Sequence, residues 1–277
     1  MQIKQHETLS GVSIRLGPAG SPEKSTLEGI AAIKKLGLHA MEVQFTHGIH
    51  MSSALAEQIG EEQEKRNVAL SVHAPYYINL SSENKQKVAE SKQRILRSAE
   101  LGHYMHASSI VFHPGFYGKH SKEKVYGIVK NEIDEMLKII KNKKWDVELA
   151  PEVMGRVSQF GSFEETIELA KEIKCSLCVD VCHIYARNQG KIDFDYIFSE
   201  LKKLKKGRVH FHFSGVEFNK NGERRHLVMN SHPDFKEFAK MLLENKINAT
   251  IICESPVTWQ DSLKMKNILE KLGHEFN

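Results

Sequence analysis

Several short apolar segments of this 277-residue chain end at a histidine or an acid. SVHAPYYINL ends its apolar run at His73, SIVFHPG at His113 and VELAPEV at Glu152. CVDVCH ends at Asp180 with His183 just beyond, VHFHFSG near His212, and IICESP at Glu254. Imidazole and carboxylate are the donors that suit zinc, manganese or iron. Three carboxylates and four imidazoles exceed one tetrahedral site, and they suit two or three ions if one carboxylate bridges. Taken singly, each residue has an ordinary explanation as a satisfied strand-end histidine or a salt-bridge partner. Taken together, acids converging on one place repel each other unless something cationic holds them. No Arg or Lys stands immediately beside most of these segment ends, which favours metal.

The elements that must position these residues follow from an alternation of short apolar runs and longer amphipathic stretches. The runs cover 12–16, 39–43, 68–73, 109–113, 147–152, 175–180, 208–213 and 250–254. Each has the length of a strand, and most are largely apolar, as strands covered on both faces should be. Helical patterns lie between them at 25–36, 81–101, 122–142, 194–205, 235–245 and 261–272. Another begins at Ser162, where Ser162 and Glu165 form an S-x-x-E capping box. Eight strand candidates alternating with helices predict an α/β fold, a (β/α)8 TIM barrel, as one domain over 1–277. A doubly wound open sheet is the alternative. It does not need eight evenly spaced units, and no G-x-G-x-x-G follows the first strand. In a parallel barrel the carboxyl ends of all strands share one rim, so the ligand candidates meet there.

Composition narrows the class. The formal net charge of +4, with 40% hydrophobic and 27% charged residues, is that of an ordinary globular protein. Such a mild positive charge permits nucleic-acid binding without arguing for it. The longest apolar runs are too short to span a bilayer, and MQIKQHETLSGVSIRLG has no stretch of signal-peptide length. The expected location is the cytoplasm, with no membrane partner. Cys175 and Cys178 form a C-x-x-C, but no second such pair completes a zinc knuckle, so buried free thiols in a strand are the better reading. His210 shares a strand face with His212, one layer deeper, where it could orient a ligand by hydrogen bonding.

The ordered series HAPYYINL, VFHPG, PEVMG, VDVCH, HFHFSG and ICESP, from about residue 68 to 256, resembles the endonuclease IV family of abasic-site DNA endonucleases. These belong to the xylose-isomerase-like barrel superfamily. HPG alone is a weak signal; the ordered set, with D-x-x-H after strand six, is specific. The resemblance implies a zinc cluster, with Mn2+ or Fe2+ as other occupants. One ion would be held by His73, His113 and Glu152. A second would share Glu152, the central catalytic carboxylate, and add Asp180, His212 and Glu254. A third would be held by His183 and a pair after strand seven. There the family carries D-x-H, whereas this chain reads NGERRHLVMN. His226 matches the histidine, but Arg224 stands at the aspartate position. Glu223 reaches that role only if the loop is rearranged, and His232 is a weaker substitute. The loops after the first two strands, GVSIRLGPAG and EVQFTHGIH, also depart from the family pattern.

The resemblance implies a monomer acting on double-stranded DNA with abasic sites, cleaving the phosphodiester 5′ to the lesion to leave a 3′-OH. Zinc lowers the pKa of bound water to about 7, which such hydrolysis needs at neutral pH. Tyr76 resembles a tyrosine that the family uses at the abasic site, where little stacking opposes extrusion. Arg156 and Gln159, on a carboxyl-end loop, are candidates for DNA contact, whereas Lys202–Lys206 reads as a solvated helix end far from the mouth. The alternative, within the same superfamily, is a metal-dependent sugar isomerase or epimerase using a carboxylate pair such as Glu152 and Glu254. A third reading is a barrel that binds damaged DNA without turnover.

Overall fold

The computed structural model describes residues 11–276. Most of the amino-terminal stretch read above for the absence of a signal segment lies outside them. Eight parallel strands form the barrel: β1 (Ile14–Pro18), β2 (Ala40–Gln44), β3 (Ala69–His73), β4 (Ser109–Phe112), β5 (Glu148–Pro151), β6 (Cys178–Asp180), β7 (Val209–Phe213) and β8 (Ala249–Cys253). Ladders join β2 through β5 in sequence, and a second set joins β6, β7, β8 and β1. Single parallel bridges, Ala19 to Glu42 and Glu152 to Cys178, close the two seams. The expected (β/α)8 barrel is thus the observed fold. Its strand bounds differ from the expected ones mostly by one or two residues.

The helices are α1 (Thr26–Lys35), α2 (Ser53–Arg66), α3 (Lys85–Tyr104), α4 (Lys122–Lys143), α5 (Phe163–Ile173), α6 (Val181–Arg187), α7 (Phe194–Lys203), α8 (Phe235–Glu244) and α9 (Thr258–Lys271). Ser162 caps α5 in the expected box with Glu165, and Ser25 does the same for α1 with Glu28. Sequence reading missed α2 and α6. Helix α2 is mostly polar and buries only Ala56, Ile59 and Gly60, so it carries little apolar periodicity. Helix α6 is a short turn of helix directly after β6. None of the described helices is long and apolar enough to cross a membrane.

The main core lies between barrel and helices. On one side Phe198, Phe211, Phe213, Phe235 and Phe238 pack ring against ring, each fully buried or nearly so. Each such side chain contributes about 1.5–3 kcal/mol through burial. Inside the barrel the residues below the rim are small: Val111, Ala150 and Cys178 form a separate cluster. They leave room in the interior for polar side chains. Gly17 lets β1 approach β2 closely, since a Cβ there would lie 1.6 Å from the Ala40 carbonyl oxygen. All four cysteines are buried free thiols. Lys206 pairs with Glu148 at the amino end of β5, so the Lys202–Lys206 run lies at the opposite end from the rim.

Candidate metal centre

The rim brings together the strand-end residues. Glu152, one residue past β5, is 1% exposed and stands at the centre. Its Oε2 lies 3.0 Å from His113 Nε2 and 3.3 Å from His73 Nε2. Its Oε1 lies 3.1 Å from His212 Nδ1 and 3.6 Å from His183 Nδ1. The carboxylate therefore turns one oxygen to each of two donor groups. His73, His113 and Glu152 form the first, and Glu152, Asp180, His212 and Glu254 the second, with donor atoms within 4.8 Å of one another in each. His73 bonds the Ala74 carbonyl through Nδ1 at 2.7 Å, which leaves Nε2 for the first group.

Asp180 and His183 are set by one local device. Asp180 caps α6, its Oδ1 accepting from the His183 amide at 2.8 Å, so the two side chains rise on the same side of the turn. Asp180 Oδ2 is buried without a hydrogen bond. The nearby His183 Nδ1, at 3.4 Å, is engaged with the Val153 carbonyl at 2.8 Å. An orphaned carboxylate oxygen in a buried site is costly unless an ion satisfies it. With imidazoles and carboxylates around it and no Lys or Arg paired to Glu152, Asp180 or Glu254 among the described residues, this donor set fits divalent cations.

The third group, Asp180, His183 and His226, is also assembled. His226 comes from a hairpin after β7 whose strands are Gly215–Asn219 and Gly222–Leu227. Its Nδ1 lies 2.7 Å from Ser214 Oγ, and its Nε2 lies 3.6 Å from Glu254 Oε2. The position two before it, Arg224, does not face the site. In the hairpin Glu217 pairs with Arg225 and Phe218 with Glu223, so Arg224 is the extra residue of a β-bulge. Arg224 and Arg225 consequently both turn outward onto Glu217, at 2.9 and 2.7 Å. The bulge shifts the alternation by one and swings Glu223 inward, its Oε2 3.6 Å from His183 Nε2 and 3.8 Å from Arg156 Nε. This is the loop rearrangement that a role for Glu223 required. Gly155 permits it, because a Cβ there would lie 2.6 Å from Glu223 Cβ and 2.8 Å from His183 Cδ2. His232 stacks on Tyr185 instead.

The residues expected at the substrate line a cleft of about 380 Å³ together with His113, Glu152, His183, Glu223, His226 and Glu254. Tyr76 is 47% exposed and stacks on the His113 ring at 5.2 Å. Arg156 is half-exposed on the loop after β5, which Arg187 fastens by donating to the Met154, Arg156 and Gln159 carbonyls. Gln159 is buried, with Oε1 unpaired. A second cleft, of about 390 Å³, lies at the amino ends of the strands, away from these groups.

Burial and neighbouring charges act in opposite directions on the acids and imidazoles of the centre. Burial alone would push the Glu152 carboxyl up, but His212 and the hydrogen bond with His113 hold it well below the ordinary carboxylate range. Glu254 is drawn down to about 2 against the cost of burial, chiefly by His212. Burial pushes Asp180 up to about 6, with His183 opposing. Burial disfavours charge on His183, yet Asp180 and Glu152 raise it to about 9.

One buried acid escaped sequence reading: Glu42, fully buried on β2, contacts both His210 and His212. A lone acid in the apolar run HAMEV was the available signal.

The family model of Xylose isomerase-like TIM barrel proteins matches residues 30–272. An uncharacterized protein of Methanocaldococcus jannaschii is 34% identical over 94% of this chain and 98% of its own length. A probable endonuclease 4 of Mesomycoplasma hyopneumoniae is 31% identical over 48% of each chain, so the match spans about half of that relative. Among solved structures, endonuclease IV from Thermus thermophilus superposes with a TM-score of 0.73 at 18% identity, covering 94% of this chain and 98% of that one. A D-tagatose 3-epimerase-like protein gives 0.71 at 18% identity, covering 94% and 96%. At that identity these likenesses establish the fold alone. The chain belongs to the xylose isomerase-like TIM barrel family.

Proposed function

We propose that this protein is a divalent-metal-dependent phosphodiesterase, a DNA repair endonuclease that hydrolyses the phosphodiester 5′ to an abasic site. The observation that carries the reading is the Glu152 carboxylate, with one oxygen facing His73 and His113 and the other facing His212. His73, His113, Glu152, Asp180, His212 and Glu254 would hold two ions, and His183, Glu223 and His226 stand where a third would bind. Zinc, manganese or iron held there supplies Lewis acidity toward the phosphate and lowers the pKa of water to about 7.

The protein's own groups set the geometry. Glu152 fixes the spacing between the two donor groups. Tyr76, open to solvent above His113, fills the space of a missing base, and an abasic nucleotide is readily turned out of the stack. Arg156 meets a flanking phosphate of the double-stranded DNA. In the reaction water adds its oxygen to phosphorus, the bond to the 3′ oxygen breaks, and that oxygen leaves as a 3′-OH once protonated. The test is cleavage of an end-labelled abasic duplex before and after chelation. Chelator-sensitive nicking with a 3′-OH end is expected. Zinc-loaded protein that never nicks the duplex with any divalent ion would overturn the assignment.

A second reading keeps the ions and changes the substrate to a sugar. It is favoured by the epimerase-like neighbour, whose TM-score of 0.71 is close to the 0.73 of the nuclease. Glu152 and Glu254, both against His212 Nδ1 at 3.1 and 3.4 Å, would then shuttle the proton. Three tightly bound metals per chain would argue against this reading.

A further inference from the structure

Beneath the rim lies a polar cluster that the reaction above does not use. Glu42 is completely buried, and its carboxylate is the meeting point of side chains from three strands. Ser71 on β3 donates its hydroxyl to Oε2 at 2.8 Å, and Gln44 donates to Oε1 at 3.0 Å. From β7, His210 Nε2 lies 3.1 Å from Oε2, and His212 Nε2 lies 3.1 Å from Oε1 and 3.2 Å from Oε2. An ionised carboxylate only accepts, so both imidazoles present N–H to it through Nε2. Among the described residues His210 makes no other hydrogen bond, its Nδ1 being buried and unpaired.

The consequence falls on His212. With Nε2–H committed to Glu42, the lone pair of the neutral ring sits on Nδ1. That atom faces Glu152 Oε1 at 3.1 Å and Glu254 Oε2 at 3.4 Å. Two carboxylate oxygens at that distance call for a positive centre at Nδ1, either a proton on the imidazolium or a metal ion in its place. Histidine ligands are commonly fixed in this way by a carboxylate on the opposite ring nitrogen.

We infer that Glu42, braced by His210 and Ser71, is a positioning residue that fixes the tautomer and ring plane of His212 so that Nδ1 is presented to the ion shared by Glu152, Asp180 and Glu254. This rests on the metal reading of the rim but not on the choice of DNA or sugar as substrate. Glu42 is not among the residues that line the cleft. The ring orientation is thereby set from inside the barrel, by a strand that contributes no ligand.

The test compares wild type, Glu42→Gln and Glu42→Asp by cobalt(II) titration against a competing chelator, with the visible spectrum recorded for each ion bound. Glu42→Gln keeps the shape but turns an N–H toward the His212 N–H. It should weaken one cobalt site about 10- to 100-fold and alter its spectrum, leaving the site of His73 and His113 unchanged, while Glu42→Asp restores part of the loss. Wild-type affinity and spectrum in Glu42→Gln would overturn the inference while leaving the metal reading intact. Wild-type protein that binds no divalent ion would overturn the metal reading itself. Should Glu42→Gln not fold, nitrogen-15 NMR of histidine-labelled wild type with cadmium-113 decides alone. Cadmium coupling to His212 Nδ1 with a proton on Nε2 supports the inference, and coupling to Nε2 overturns it.

Discussion

Glu152 Oε1 and His212 Nδ1 lie 3.1 Å apart at the carboxyl rim, joining the end of β5 to β7 through the barrel interior. The contact defines the boundary of the second donor group, and the other oxygen of Glu152 belongs to the first. Glu152→Gln should therefore disturb both sites together. We expect at least one ion lost per chain and more than about a 100-fold fall in metal-dependent activity, beyond the 10- to 100-fold typical of an outer partner. Elemental analysis and chelator competition check this. A variant retaining wild-type metal content would refute a bridging role.

The inward turn of Glu223 makes it separable from Glu152. If a third ion is bound beside His183 and His226, Glu223→Gln should weaken that ion alone and leave any at the other two donor groups in place. Gly155→Ala should do the same indirectly, since the added methyl collides with Glu223 Cβ and the His183 ring. Metal counting after limited chelation distinguishes them. Loss of all ions in either variant would count against a separate third site.

Arg156 stands half-exposed at the cleft, with its guanidinium only loosely tied to Glu223. If it meets a phosphate, Arg156→Glu should weaken abasic duplex binding and lower the salt slope by about 1. Fluorescence anisotropy at several salt concentrations measures both. Unchanged affinity and slope would remove Arg156 from the DNA surface.

Far from the rim, His39 stacks on Phe276 at 4.6 Å, with its Nδ1 buried and unpaired. Burial, then Lys266 and Lys34, lower its pKa from 6.5 to about 4. Between these values the unfolded chain binds the proton and the folded chain does not. The stabilising contribution is thus present above 6.5 and is lost as pH falls toward 4. His39→Phe, which keeps a ring for Phe276, should flatten the pH dependence of the urea midpoint across this window. An identical dependence in the two proteins would show that His39 does not titrate there.

What the amino-acid order determined by itself was the alternation of strands and helices and, with it, the rim. In a parallel barrel all carboxyl ends lie on one side, so candidate ligands written far apart at His73, His113, Glu152, Asp180, His212 and Glu254 converge once the fold is known. What only the tertiary structure decided were relations that depend on side-chain direction across strands. Glu42 reads as a single acid in an apolar run until β7 brings His210 and His212 to its carboxylate. Glu223 reads as outward-facing by simple alternation, and a one-residue bulge at Arg224 reverses that. A strand's period of two is local, whereas the insertion that shifts it is visible only in the pairing with its neighbour.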